Sequence, residues 1–250
     1  MAELFRSLAG QTESPEVLTT KGFGCMIVST SCEMAELTNE SITVWVEKDG
    51  KNIDIAKDVL LKDFMLLGTF GEDCIYSSTQ FTTVANIDLT EDGGYIALKD
   101  NETIKFKLRN LKPNKVYVVN SIEEPVPSTE VLMYERKSMS SEDVGRDFDT
   151  KGYDIISLQK SDTINELSLT FDNGTVCKYT PFELECVAKS IDQGMVLTQD
   201  GTILSSLNDR LVFPIKGVVN LNIRKTPGTR LDVTMRIDEG DFVLYQMAKR

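Results

Sequence analysis

The sequence contains no histidine among its 250 residues. This absence excludes Ser-His-Asp and Cys-His nucleophile systems, histidine general bases and most transition-metal sites. A phosphate-binding loop, a dinucleotide-binding fingerprint, a nucleophile elbow and an EF-hand loop are also missing from the sequence. A pair of carboxylates is the catalytic arrangement that stays open, and no pair stands out among the 39 acidic residues. We therefore expect a protein that is not an enzyme.

Cysteine is scarce and irregularly spaced. The five cysteines are Cys25, Cys32, Cys74, Cys177 and Cys186. Their number is odd and no C-x-x-C motif occurs, so the sequence predicts neither a disulfide framework nor a zinc ribbon. Most of them lie in apolar segments, which is typical of small buried side chains in a reducing compartment.

Long apolar runs and basic clusters are missing as well. No apolar run approaches the roughly 18 residues that indicate a membrane-spanning helix. The first residues, MAELFRSLAG, lack the basic and apolar regions of a signal peptide, so we expect none. The net charge of −12 repels phosphate, so we expect no direct binding to nucleic acid.

Short segments rich in β-branched and aromatic residues dominate the sequence. They include CMIVST, ITVWVE, TIKFKLRN, VYVVNSIE, YDIISLQ, ELSLTFD, VVNLNIRK, LDVTMRID and FVLYQM. Turn dipeptides such as Asp49-Gly50 and Asn173-Gly174 separate them. Short strands with regular turns are typical of β-sandwiches and β-barrels.

Two helices interrupt this pattern. The segment TPFELECVAKSI predicts a helix over residues 181–191, because Thr180 and Glu183 form a capping box and Pro181 suits the first position. The segment KDVLLKDFMLL predicts another over residues 57–67. Their apolar stripes are Leu184, Val187, Ala188 and Ile191 in the first case, and Leu60, Phe64 and Leu67 in the second. A third, short terminal helix is predicted over residues 2–9.

The same order of elements occurs twice along the chain. Lys21-Gly22-Phe23 and Lys151-Gly152-Tyr153 precede the first strand of each copy, and Gly50 and Gly174 mark the first hairpin. A helix follows each hairpin, and TIKFKLRNLKPNKVYVVNSIEE near the end of the first half matches VVNLNIRKTPGTRLDVTMRIDEG in the second. Residues 126–150, rich in Pro, Ser and charge, are interpreted as the connector between two domains.

The repeated sandwich resembles the double jelly-roll major capsid proteins of tailless icosahedral viruses with an internal membrane, corticoviruses in particular. The resemblance rests on SITVWVEKDGKNIDIAKDVLLKDFMLL, on ELSLTFDNGTVCKYTPFELECVAKSI and on the closing strands. It implies an all-β fold of two tandem jelly-roll β-sandwiches, each with a short inserted α-helix. We expect an N-terminal arm over residues 1–20, jelly rolls over residues 21–125 and 151–250, and the connector between them.

The resemblance also implies a function and a set of partners. Three chains with two similar domains each give six similar units, so a homotrimer has the nearly hexagonal outline that tiles a shell. The expected function is therefore that of a coat protein, made in the host cytoplasm and located in the virion. Expected partners are neighbouring capsomers, vertex (penton) and minor capsid proteins, and the internal lipid membrane. Calcium, bound in some members of the family, is a possible ligand.

Five residues are candidates for binding or assembly. Acidic turns can bind calcium through carboxylate oxygens, and the candidates for this are Glu123, Glu124, Asp238 and Glu239. Trp45 alternates with Val44 and Val46, so we expect its side chain to point away from its own sandwich core and to be covered by a neighbouring domain, connector or subunit.

Three segments are further candidates for contacts between subunits: residues 68–95, residues 192–201 and the connector. Residues 1–12, with Leu4, Phe5 and Leu8, are expected to form an arm that docks on a neighbouring capsomer or near the membrane. Two other classes of function stay open. One is a tandem β-sandwich that binds carbohydrate or mediates adhesion, and the other is a hydrolase with a carboxylate pair on a β scaffold.

Overall fold

The computed structural model describes residues 1–70, 75–128, 130–191, 196–197, 203–204 and 209–237. The predicted strand FVLYQM lies outside these residues. Within them the chain forms two β-sandwiches, which we call the first roll and the second roll.

The first roll is built from nine strands and one helix. In chain order they are β1 (Ala2–Arg6), β2 (Val17–Thr19), β3 (Cys25–Thr30), β4 (Ser41–Lys48), β5 (Lys51–Leu60), α1 (Leu61–Gly68), β6 (Ile75–Tyr76), β7 (Thr83–Asp88), β8 (Glu102–Arg109) and β9 (Tyr117–Ile122). A 3-10 turn, Met34–Glu36, precedes β4.

The second roll repeats this series. Its elements are β10 (Met133–Met139), β11 (Gly145–Asp149), β12 (Tyr153–Gln159), β13 (Ile164–Phe171), β14 (Val176–Tyr179), α2 (Pro181–Ile191), β15 (Val196–Leu197), β16 (Ile203–Leu204), β17 (Arg210–Pro214), β18 (Val218–Lys225) and β19 (Leu231–Ile237).

The two rolls have the same strand order. In the first roll the sheets run β1-β9-β3-β7 and β5-β4-β8-β2, and in the second they run β10-β19-β12-β17 and β14-β13-β18-β11. A hairpin through Asp49-Gly50 joins β4 to β5, one through Asn173-Gly174 joins β13 to β14, and a helix follows each hairpin. Eight strands arranged in two sheets of this order make a jelly roll. The predicted fold class, two tandem jelly rolls with an inserted helix each, is confirmed.

One sheet passes through both rolls. Its order is β17-β12-β19-β10-β5-β4-β8-β2, and β5 meets β10 in parallel pairing at Ala56↔Tyr134 and Lys57↔Glu135. Each roll has its own apolar core, and the shared sheet separates them: on β12, Ile155 packs in the core of the first roll and Ile156 in that of the second. The β15–β16 hairpin extends the other sheet of the first roll through β6.

The predicted arm and connector are wrong as segments outside the rolls. Residues 2–6 form strand β1, which pairs with β9 and buries Phe5 in the first core, so they are neither a helix nor a free arm. Residues 17–19 form β2, which pairs with β8. In the predicted connector, β10 pairs with β19 and β11 with β18. The arm and the connector therefore supply the first two strands of each jelly roll.

The first helix begins four residues later than predicted. Residues 57–60 belong to β5, where Val59 pairs with Ile42 and Lys57 with Glu135. Asp58 has a φ of +49°, which is incompatible with a right-handed helix. Pairing with β4 and β10 therefore overrides the helical pattern of the sequence. The second helix begins at Pro181, as predicted.

Neither α1 nor α2 has the length and apolarity that a membrane-spanning helix needs, and no other helix in the described ranges does.

Candidate assembly interface

The junction of the two rolls is organised around helix α1. All eight residues from Leu61 to Gly68 are buried. The helix packs against β5 and β7 of its own roll and against β12 and β19 of the other. A helix that is mostly apolar and has no polar face toward solvent is stable only where it is enclosed. Within the chain, α1 is thus the element on which the second roll rests.

Aromatic packing and a close backbone approach fix α1 in place. The rings of Phe64 and Tyr134 meet edge to face, with their centroids 4.8 Å apart. The helix ends at Gly68, where a Cβ atom would lie 2.4 Å from Ile87 Cγ2, so a larger residue would displace the helix from β7. The Tyr134 hydroxyl donates a hydrogen bond to the carbonyl of Asp88 at 2.8 Å. Burial raises the pKa of Tyr134, so this hydroxyl stays protonated.

A buried carboxylate in α1 binds three side chains of the second roll. Asp63 is fully buried, and its Oδ1 accepts hydrogen bonds from Arg210 Nε at 2.7 Å and Ser157 Oγ at 2.8 Å. Its Oδ2 accepts one from Thr234 Oγ1 at 2.9 Å. A buried charge is tolerated only when it is paired and hydrogen-bonded. Asp63 therefore fixes the position of one roll on the other, and we call these four residues the Asp63 cluster.

Two further ion pairs flank the Asp63 cluster. The ammonium of Lys62, also buried, lies 2.7 Å from Asp209 Oδ2. Arg236 donates to the carbonyl of Leu67 at 2.9 Å and pairs with Asp154 at 2.6 Å. A cation at the end of a helix satisfies carbonyls that have no partner within the helix. These residues were not predicted from the sequence, although the adjacent Lys62 and Asp63 inside the apolar run LLKDFMLL were a visible signal.

Helix α2 occupies the corresponding place in the second roll, with different surroundings. Its capping box is present: Glu183 N donates to Thr180 Oγ1 at 3.3 Å, and Thr180 N donates to Glu183 Oε2 at 2.8 Å. These bonds from Thr180 lower the pKa of Glu183. Leu184 is buried in the second core, whereas Phe182 is 73% exposed and Val187 38% exposed. Val187 is thus not part of the buried stripe, contrary to the prediction.

Trp45 has the predicted orientation. Val44 and Val46 pack in the first core, and Trp45, which does not, lies between them on the outer face of the sheet. There it pairs with Lys105, whose ammonium contacts Glu47 at 2.7 Å and Glu16 at 2.8 Å. Only 8% of Trp45 is exposed, so residues of the same chain cover most of the indole. Its contact with another subunit stays a prediction.

The calcium candidates are not brought together. Glu123 follows β9 and pairs with Lys21 at 3.4 Å, with Glu124 next to it. Asp238 and Glu239 lie outside the described residues. Among the residues that the structure describes, no group of three or more Asp, Glu, Cys or His side chains could hold a metal ion. Calcium binding stays a prediction.

The segments predicted for contacts between subunits are mostly used within the chain. Residues 83–88, from the first predicted segment, form the inner strand β7, and residues 133–139 and 145–149 form β10 and β11. Of the second predicted segment, residues 192–201, only Val196 and Leu197 lie in the described part of the chain. The exposed face of α2 was not predicted, although Phe182 falls off the apolar stripe of its helix.

This architecture has counterparts among solved protein structures. No protein-family model matches the sequence, and no curated protein does. Among solved structures, the major capsid protein P2 of bacteriophage PM2 is similar with a TM-score of 0.50 and 11% identity, over 93% of this chain and 96% of that one. A chain of Sulfolobus turreted icosahedral virus has a TM-score of 0.49 and 7% identity, over 100% of this chain and 91% of the other.

At 11% identity the likeness to the PM2 protein concerns the fold. It spans nearly the whole of both chains, so it includes both rolls. The resemblance predicted from the sequence is confirmed at this level: the chain has the double jelly-roll fold of a viral major capsid protein.

Proposed function

We propose that this protein is a major capsid protein, and that three copies form a pseudo-hexagonal capsomer of an icosahedral shell. The observation that carries the proposal is the strand-for-strand repetition of the jelly roll within one chain, whose two rolls share a sheet. Six similar rolls around a three-fold axis approximate six-fold symmetry, which suits a closely tiled shell. The likeness in fold to the PM2 major capsid protein supports the same function.

The junction within the chain supports assembly by repetition of one contact. Within the chain, β5 and α1 of the first roll contact β10, β12 and β19 of the second. Among the residues that the structure describes, β14 and α2 of the second roll and β1 of the first form no such contact, and both strands are sheet edges. Heterologous contacts of this kind close into a ring when the rotation allows it. Three chains would thus supply six similar junctions.

The proposal includes the partners of a shell protein. Neighbouring capsomers are contacted along the outer rim, vertex and minor capsid proteins occupy the five-fold positions, and a lipid membrane lies beneath the shell. The function resides in interfaces, so it needs no catalytic residue.

Light scattering coupled to size-exclusion chromatography tests the oligomer. We expect a mass three times the 27.9 kDa of the chain at both micromolar and nanomolar concentration, because obligate interfaces bury more than about 2,000 Å². Electron microscopy of the same material should show flat hexagonal particles. A stable monomer or a two-fold dimer at both concentrations would contradict the proposal.

A further inference from the structure

Strands β14 and β1 each lie at the edge of a sheet. β14 is the last strand of the sheet β11-β18-β13-β14, and β1 is the first strand of the sheet that continues through β9, β3 and β7. In the described part of the chain, no strand pairs with the outer side of either one. The backbone N–H and C=O groups of such an edge can pair with a strand of another chain.

The internal repeat indicates which strand fits each edge. β14 is the counterpart of β5, since both follow a glycine hairpin and precede a helix, and β1 is the counterpart of β10, the first strand of its roll. Within the chain, β5 and β10 pair in parallel and join a sheet of one roll to a sheet of the other. Because β14 and β1 of one chain are not paired with each other, the equivalent contact needs two copies.

Core-facing residues give the register on β14. Val44 on β4 and Leu169 on β13 point into the first and the second core, and their hairpin partners are Ala56 and Cys177. In both rolls, the next core-facing pair away from the turn ends two residues before the helix begins: Ile42↔Val59 in the first and Leu167↔Tyr179 in the second. Cys177 therefore corresponds to Ala56, and the residue after it, Lys178, corresponds to Lys57.

The strand ladder gives the register on β1. Aligning Lys21-Gly22-Phe23 with Lys151-Gly152-Tyr153 places Ile27 at the position of Ser157. Following the pairs from the third strand to the first gives Ile27, Asn120 and Glu3 in the first roll, and Ser157, Thr234 and Arg136 in the second. Glu3 thus corresponds to Arg136, and the residues just before them, Ala2 and Glu135, correspond to each other.

We infer that β14 of one copy pairs in parallel with β1 of a second copy, with Lys178 opposite Ala2. The register follows from the pair Lys57↔Glu135, which occupies these two positions within the chain. The pairing would join the sheet β11-β18-β13-β14 of one copy to the sheet β1-β9-β3-β7 of the next. This inference rests on the proposed capsomer and identifies the strands at its subunit contact.

The residues at this register allow the two edges to meet. Lysine on an edge strand often protects it from pairing, but β5 carries a lysine at the position of Lys178 and is paired there. Lys178 forms an ion pair with Glu166 of the neighbouring strand β13 at 3.2 Å, and Glu3 forms one with Arg6 of its own strand at 2.6 Å. Both ion pairs are made by side chains, so neither uses the backbone groups of the edges.

Cross-linking is the first test. Neighbouring strands lie about 4.8 Å apart, which is within the Cα separation that a disulfide needs. Mild oxidation of Lys178→Cys/Ala2→Cys, with Cys74, Cys177 and Cys186 replaced by serine, should give covalent dimers and trimers on a non-reducing denaturing gel. Either cysteine alone should give none of this ladder.

Two matched pairs of cysteines control the cross-linking. In the same background, Lys57→Cys/Glu135→Cys should form a disulfide within one chain and run as a monomer, because these residues are paired there. Lys178→Cys/Leu18→Cys should give no oligomer, although Leu18 is exposed on the edge strand β2. An equal ladder from the Leu18 pair would show that the products arise by random collision and would remove the support for the β14–β1 register.

Charge at position 2 is the second test. Ala2→Glu places a carboxylate opposite Lys178, as Glu135 stands opposite Lys57, whereas Ala2→Lys places two ammonium groups opposite each other. We expect the concentration for half-dissociation of the trimer, in urea too dilute to unfold the chain, to fall with Ala2→Glu and to rise with Ala2→Lys, by about 2- to 5-fold for each contact. Ala2→Lys/Lys178→Glu should reverse the loss, and Lys178→Glu alone completes the cycle.

The two proposals can fail separately. If the native chain is trimeric, Lys178→Cys/Ala2→Cys gives no ladder while the control within the chain forms its disulfide, and positions 2 and 178 show no coupling, the β14–β1 pairing is wrong and the capsomer stands. If the native chain is a monomer at every concentration, the capsomer fails and the pairing fails with it.

Discussion

Helices α1 and α2 occupy the same place in two copies of one fold, and their surroundings differ. All of α1 is buried, because the second roll lies on it. Only one face of α2 is buried, and an aromatic side chain stands on the other. The sequences reflect this difference. In LKDFMLLG, the only charged residues are the buried Lys62 and Asp63, whereas PFELECVAKSI is amphipathic and also carries Phe182 outside its apolar stripe. The repeat thus determines where each helix lies, and the composition of the helix reflects which parts of the protein cover it.

The largest effect should come from replacing one phenylalanine in each helix. Phe64→Ala removes a ring packed against Tyr134 in the first core and should lower the free energy of unfolding by about 3–5 kcal/mol. Phe182→Ala changes an exposed ring and should alter the unfolding of the monomer by less than about 0.5 kcal/mol. Urea denaturation at a concentration where the chain is monomeric measures both. Equal losses would show that the two helices are equally enclosed and would remove the comparison.

A charge deletion in α1 should be comparably severe. Asp63→Leu leaves Arg210 buried without its anion and should cost about 3–5 kcal/mol in unfolding free energy. The double variant Asp63→Leu/Arg210→Leu should recover much of this loss, because both charges are then absent. Asp162→Leu, at an exposed position before β13, is the control and should change little. An Asp63→Leu loss below about 1 kcal/mol would mean that the rolls are positioned without the Asp63 cluster.

The sequence predicted the features that depend on local chemistry. The turns at Asp49-Gly50 and Asn173-Gly174 require residues that tolerate positive φ, and Asp49, Gly50 and Gly174 adopt it. The capping box at Thr180 needs only residues within one turn of helix. The order of the repeat follows from these markers, and with it the fold class.

Features that depend on distant pairing were not predictable in this way. AELFR has a helical apolar spacing, and it is a strand because β9 offers it an edge. Lys57 and Asp58 leave the predicted helix because β4 and β10 pair with β5. Strand preference is set mostly by neighbouring strands rather than by the residues themselves. The partners of Asp63 lie about a hundred or more residues away in sequence, and the sequence carries no marker of that separation.

A smaller effect is expected at a buried carboxylate that belongs to the first roll. Glu40 accepts hydrogen bonds from the Tyr117 hydroxyl at 3.1 Å and from the backbone of Thr38 at 2.9 Å, and it pairs with Lys112. Burial alone would raise the pKa of Glu40, but the bonds from Lys112 and the backbone outweigh it and lower that pKa. Glu40→Gln should reduce the unfolding free energy at pH 7 by about 1–3 kcal/mol, since a buried network loses its charge.

The same carboxylate should make stability depend on pH. Because the pKa of Glu40 is lower in the folded chain than in the unfolded one, ionised Glu40 stabilises the fold above the unfolded pKa, which is about 4.3. That contribution is lost as the pH falls through the folded pKa. Urea denaturation between pH 7 and pH 3 should show a smaller decline in Glu40→Gln than in the native chain. Parallel declines would indicate that the acid sensitivity arises elsewhere.

The smallest effect, and the one that separates the two helices most directly, is expected at the cap of α2. Thr180 exchanges two hydrogen bonds with Glu183, whereas Leu60, the residue at the N-cap of α1, makes no capping bond with its side chain. A helix enclosed by two rolls is held by packing, but a helix with one exposed face depends more on its own termini. Thr180→Ala should therefore lower the unfolding free energy by about 1 kcal/mol, and Thr180→Ser should restore it. Hydrogen exchange should show faster opening of the α2 amides with α1 unchanged. If the amides of both helices exchange faster, the stability of α2 is coupled to the contacts that hold α1 at the junction.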